Sequence, residues 1–269
     1  MLKSPSRSIF ILGALLATLP AAAVAQAQSA WPSWLPSEWE AGGIVVTAPK
    51  YEGSKNNTVM GVPVIFPAGT PGVDGTVQFK GIDDVRVRLI KFNGFEAGPV
   101  AGYRFGREED DGRRLRGLGD IDGGLVLGGY AAYRIGNLAA FASYNHQATG
   151  DDTGGLLRFG LEAVAKLQPR FIVTLTGGAT WASNDYMRSF FGVTAAQSAR
   201  SGLAVYAPDS GIKDVFIGLG AEVPLAERWT LRANARYTHL VGDAADSPVV
   251  ERQGQISGGL GLTYRFSIR

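Results

Sequence analysis

An alternation of period two runs through this chain from Glu38 onward, and it limits the fold more than any other feature. Between Gln255 and Phe266, Ile256, Leu260, Leu262, Tyr264 and Phe266 share one parity, and Gln255, Ser257, Thr263 and Arg265 the other. The apolar set Trp229, Leu231, Ala233, Ala235 and Tyr237 opposes Thr230, Arg232, Asn234, Arg236 and Thr238. Leu157, Phe159, Leu161 and Ala163 oppose Arg158 and Glu162, while Val85, Val87 and Leu89 oppose Arg86 and Arg88. Successive side chains of a strand point to opposite faces, so each stretch predicts a strand with one apolar and one polar side. Phe141 and Phe216 depart from this by falling on polar faces.

Two-faced strands build either a soluble sandwich or a membrane barrel. Aromatic residues here bracket the apolar face: Phe171 and Trp181 in one strand, Trp229 and Tyr237 in another, Phe95 with Tyr103 and Phe105 in a third. Rings at both ends match interfacial girdles, whereas a sandwich would hold them mid-strand. The polar face is charged, as suits a wet lumen, and the lumen candidates are Arg86, Arg88, Glu96, Arg104, Arg158, Glu162, Glu222, Arg232, Arg236 and Arg265. Segmentation gives about twelve strands, near 39–48, 58–66, 72–81, 84–91, 94–106, 121–134, 137–147, 155–166, 170–182, 212–223, 228–240 and 254–266. Tight links alternate with long ones, apart from a short link at Ile82-Asp83. The expectation is a transmembrane antiparallel β-barrel with short periplasmic turns, long extracellular loops and a closed sheet that leaves no backbone group unpaired in lipid.

The N-terminus reads as an export signal over residues 1–25: Lys3 and Arg7, then an apolar run from Ile9 to Leu19, then Ala23-Val24-Ala25. Residues 26–38 are expected to form a periplasmic segment in which Trp31 and Trp34 anchor the chain at the inner girdle, with the barrel over 39–269. The 26 basic residues less Lys3 and Arg7 equal the 24 acidic ones, which argues against a nucleic-acid partner. With no cysteine and two histidines, the chain has no thiolate chemistry and little material for a metal centre. No cofactor is expected. The only histidines, His146 and His239, have Ser143 with Asp151 and Asp243 nearby in sequence, without the surroundings of a hydrolase motif, so no enzymatic activity is expected either.

The loops carry a recognisable series. It comprises Pro49, Tyr51, Gly53 and Ser54, then Gly98-Pro99 with Tyr103-Arg104, and Trp181 through Asn184 to Tyr186. Phe191, Gly192, Gln197, Ser201, Gly202, Leu203 and Tyr206 follow, then Gly242, Asp243, Ser247 and Pro248, leading to Tyr264-Arg265-Phe266. In this order the chain resembles the MipA/OmpV family of Gram-negative outer-membrane proteins over nearly its whole mature length. The resemblance implies an outer-membrane barrel in contact with lipid. It also implies a scaffold that links an MltA-type lytic transglycosylase to a penicillin-binding murein synthase, and for other members a surface adhesin.

The residues themselves leave a second reading open, a narrow channel or small-molecule-binding barrel lined by the lumen arginines. Packing of those arginines against Glu96, Glu162 and Glu222 is the expected structural use of the same charges. Thr194 predicts the N-cap of a short helix running through Arg200 and ended by Gly202. The apolar content around it, Tyr186, Phe190, Phe191 and Tyr206, suggests a partial plug at the barrel mouth.

Overall fold

The computed structural model describes residues 37–68, 75–168 and 171–268. The signal segment and nearly all of the expected periplasmic segment lie outside the described residues. Thirteen strands form one antiparallel sheet: β1 (Glu38–Pro49), β2 (Asn57–Pro67), β3 (Val77–Gly81), β4 (Asp84–Val87), β5 (Ile90–Phe92), β6 (Phe95–Arg104), β7 (Gly124–Ile135), β8 (Leu138–Gln147), β9 (Gly155–Gln168), β10 (Phe171–Ala182), β11 (Gly211–Pro224), β12 (Trp229–Leu240) and β13 (Gly254–Ser267). Their order is β2-β1-β13-β12-β11-β10-β9-β8-β7-β6-β4-β3, with β5 also on β6. The first strand of the described residues therefore pairs with the last, as in a sheet that curls back on itself. Lys80 of β3 reaches Glu162 of β9 at 2.5 Å, and the Arg232 guanidinium of β12 lies 5.2 Å from the Phe66 ring of β2, so the sheet is strongly curled.

The solvation pattern is that of a soluble protein turned inside out. Leu219 and Leu260 are more than half exposed on the outer face, whereas Glu40 and Arg86 are 1% and 4% exposed within. Contiguous apolar surface of this extent is untenable in water and natural against hydrocarbon. Glycines tighten the curl where neighbouring backbones meet: Gly160 and Gly178 pair directly, and a Cβ on Gly160 would lie 2.1 Å from the Gly177 carbonyl oxygen.

The expected strand at 84–91 is corrected to two, β4 and β5, and a proline explains the break. On β6, Leu89 donates its N–H to the Ala97 carbonyl and Tyr103 donates to Ile82, so odd positions face β4 and β5. Pro99 thus turns a nitrogen without a hydrogen toward this neighbour, and the ladder skips Gly98-Pro99. The resulting bulge puts Leu89 and Ile90 both on the exposed side.

Of the strand expected at 72–81, the described part is β3. The sheet's ends are β2 and β3, and among the described residues no ladder joins them. Ala68 donates to Glu38, which places the bonded pairs of β1 and β2 at even positions and leaves Pro63 in a non-bonded pair opposite Gly43. Pro63 therefore lacks its donor on the outer edge of β2, a position reserved for edge strands.

Candidate functional site

Above the outer ends of the strands, the long loops fold into a lid with its own core. It contains α1 (Asn184–Phe191), α2 (Ala195–Ser201), α3 (Gly242–Asp246) and two 3-10 turns at 109–111 and 113–115. The Ser183 hydroxyl accepts from the Tyr186 N–H to start α1. Thr194 starts α2 through a reciprocal capping box with Gln197, and Gly202, left-handed at φ 75°, ends it. Tyr186, Met187, Phe190 and Phe191 bury one face of α1 against Leu156, Ala182, Leu240 and Ala244. Beside them Tyr51, Leu115, Leu118, Val193 and Val249 form a second apolar cluster.

The loop series singled out in the sequence comes together here. Gly53, at φ 89°, offers its carbonyl to the N–H groups of Glu251 and Arg252, and a Cβ there would collide with Val250. Pro49 closes β1, and Ser54 forms a local turn with Asn56. The Ser247 hydroxyl donates to the Phe191 carbonyl at 2.6 Å, and Gln197 Nε2 to the Leu118 carbonyl at 2.6 Å. Tyr206 donates to the Asp243 carbonyl at 2.9 Å and exchanges backbone bonds with Val193. Asn184 accepts from Ser210 N–H, Asp243 from Asp209 N–H, and the Ser201 hydroxyl from Leu203 N–H. Pro248 accepts from Arg114, Gly192 donates to the Arg188 carbonyl, and Gly242, the first residue of α3, stands at φ 53°. Trp181 sits at the outer end of β10, paired with Leu157 and Ile212.

Two tyrosines latch the lid. Tyr51 donates to Glu251 at 3.1 Å, and burial together with that carboxylate pushes its hydroxyl well above the usual range. Burial alone would raise Glu251, but hydrogen bonds from Lys55 and Tyr51 hold it below the ordinary carboxylate value. Tyr186 donates to Glu52 at 3.0 Å; burial and the Glu52 charge raise it too. Lys213 bridges Glu52 at 2.7 Å and Asp214 at 2.5 Å, and Thr180 donates to Asp214 at 2.8 Å. Arg104 lies 5.0 Å from the Tyr186 ring and donates to Asn145, Thr153 and the Gly154 carbonyl.

Below the lid most charges of the inner face are matched. Asp84 takes Arg86 in a bidentate pair at 2.8 Å and also accepts from Ser143. Asp83 takes Arg158, Glu96 takes Arg88 and Gln78, and Glu162 takes Lys80 and Arg134. Glu40 takes Arg232 and Arg265, with Glu222 on the other side of Arg232. Phe141 and Phe216 now have a reason for their parity: the Arg86 guanidinium lies 5.1 Å from the Phe141 ring and 5.2 Å from Tyr130, and that of Arg236 lies 3.6 Å from Phe216. The sequence reading missed Asp83, Asp84, Glu40, Glu52, Lys80, Lys213 and Asp214. Glu40, Asp84 and Asp214 could have been found by extending the polar parity; Asp83 looked like a turn residue.

The histidines stand apart from any catalytic grouping. Ser143 points inward to Asp84, while His146, an odd number of residues away, meets Asp152 at 3.0 Å on the other face. Asp151 is occupied by the Asp122 N–H. Among the described residues no group of three or more His, Asp or Glu side chains could hold a metal ion.

The family model for MltA-interacting protein MipA matches residues 41–266. The MltA-interacting protein of Escherichia coli strain K12 is 35% identical over 91 residues, which cover 33% of this chain and 36% of that protein. The outer membrane protein OmpV of Vibrio cholerae is 23% identical over 159 residues, 59% of this chain and 61% of its own. The chain thus spans about a third of the first relative's length and under two thirds of the second's. Among solved structures, the outer membrane channel DcaP of Acinetobacter baumannii is similar at 9% identity and TM-score 0.38, over 85% of this chain and 96% of that one.

Proposed function

The chain belongs to the MltA-interacting protein MipA family of the outer membrane, and from that premise we propose that it is a non-enzymatic, closed-mouthed barrel that acts as a docking scaffold. Its partners in this reading are an MltA-type lytic transglycosylase and a penicillin-binding murein synthase, held at the periplasmic end. One observation supports this over a conducting role: most interior arginines are tied to carboxylates beneath a lid with its own apolar core. A barrel filled by its own ion pairs offers partners its ends and rim instead of a wide aqueous path.

The test combines two measurements on the full chain. Affinity capture from detergent-solubilised envelopes should recover a lytic transglycosylase and a penicillin-binding protein, and the purified barrel should show no steady current in planar bilayers. Steady ion flow with neither enzyme recovered would overturn the reading.

A further inference from the structure

Most interior guanidinium groups described above meet a carboxylate, and Arg104 meets three neutral acceptors. Arg236 is different. Its contact is the face of Phe216, and among the described residues no hydrogen bond or ion pair reaches its nitrogens. The acidic groups that lie toward it are engaged elsewhere: Asp214 by Lys213 and Thr180, Asp83 by Arg158, Asp84 by Arg86.

At 3.6 Å from the ring centroid, the Arg236 guanidinium carbon is at the separation of a guanidinium stacked on the face of Phe216. That posture leaves its in-plane N–H donors directed away from the aromatic, as a fork that fits two oxygens of one carboxylate or phosphate. The wall around it is low. Across the ladder Arg236 is flanked by Gly218 and Ser257, and Asn234, the next inward residue, by Gly220 and Gly259. A Cβ at Gly218 would sit in ordinary contact at 3.6 Å and one at Gly220 at 3.8 Å, without collision, so the two glycines leave unfilled room beside the arginine. Asn234 is itself exposed although it shares the inward parity, so this part of the interior is wet. A cation on an aromatic platform, a shallow recess flanked by glycine and nearby hydroxyl and amide groups make a receptor for an anion.

We propose that this recess binds a small solute through a carboxylate or phosphate group held bidentately by Arg236, with Ser257 and Asn234 available to its polar substituents. The lid covers the outer mouth, so the solute comes from the periplasmic side. The inference is independent of the scaffold reading, since a docking barrel and a conducting one could both carry the site.

The experiment uses the full chain folded in detergent and titrated calorimetrically with inorganic phosphate and, separately, acetate, at constant ionic strength set by chloride. Saturable heat is expected with at least one of them. Arg236→Gln should weaken it tenfold or more, about the value of a charge-assisted pair, whereas Arg116→Gln on the exposed lid should leave it unchanged. Gly218→Val, which fills the recess and leaves the arginine in place, serves as a second variant and should also weaken binding. Barrel folding of each variant is checked by its mobility before and after boiling. No saturable heat with either anion, or binding that survives both Arg236→Gln and Gly218→Val, would overturn the proposal.

Discussion

Replacing Phe191 by alanine should open the lid and leave the barrel standing. Phe191 is fully buried in the larger lid cluster, beside the stacked pair Tyr186 and Phe190, whose ring centroids are 4.6 Å apart. Removing a fully buried phenylalanine costs about 3–5 kcal/mol, the lost transfer energy plus the cavity. The lid opens locally, so that cost acts on its own opening equilibrium and corresponds to roughly two to three and a half powers of ten. Hydrogen exchange followed by mass spectrometry reads this directly. The amides of Met187, Gly192 and Val193, bonded to the carbonyls of Ser183, Arg188 and Tyr206, should exchange faster by that factor. Amides of the β11–β12 ladder should be unchanged. Val205→Ala, at a position 60% exposed in the same loop, is the control and should stay within about 0.5 kcal/mol of the parent. If lid amides accelerate less than about threefold, or lid and ladder accelerate together, the lid is not a separately packed unit and the reasoning fails.

Other consequences are as direct. Tyr51 and Tyr186 have folded-state values above the usual 10.0, so their contribution to lid stability is complete below that pH and lost as pH rises through the folded values. Phenolate absorbance should therefore rise in two phases, the later one coinciding with lid opening; a single phase at the ordinary value in both the parent and Tyr51→Phe would refute this. Asp84→Ala strands the buried Arg86 guanidinium and should lower stability in detergent by about 3–5 kcal/mol, with part recovered in Asp84→Leu combined with Arg86→Met. A urea midpoint for Asp84→Ala equal to the parent's would contradict the pairing. Deleting residues 186–206 should raise bilayer conductance; an unchanged current would mean that this loop does not constrict the mouth.

How much of this was legible in the sequence follows from the range of the interactions. Strand alternation is local, and it located the long strands and the inward arginines. The Thr194 cap and the Gly202 stop are local as well, and α2 follows them. What escaped depends on partners distant in the chain. Phe141 and Phe216 read as errors of parity because the guanidinium groups they support, Arg86 and Arg236, come from other strands. Asp83 occupies a short link and reaches inward to Arg158, so turn chemistry masked its role, while Asp84 opens β4 and pairs with Arg86 two residues on. The division of β4 from β5 was written in Pro99, but its effect appears only once the neighbouring strand is known. Glu52 lay inside a loop stretch already singled out, and nothing local marked it as the acceptor for both Tyr186 and Lys213.

A membrane barrel turns the apolar side of its sheet to lipid, and the chain has no cysteine to complicate a scan of that side. Single cysteines at positions 256 to 263 of β13, spin-labelled after reconstitution into liposomes, report collision with lipid-soluble oxygen and with a water-soluble nickel chelate. Oxygen contact should peak at Ile256, Gly258, Leu260 and Leu262, and chelate contact at Ser257 and Gly259, with both low at the buried positions Gly261 and Thr263. A scan without alternation, or with the chelate favoured at Leu260 and Leu262, would contradict this orientation of the sheet.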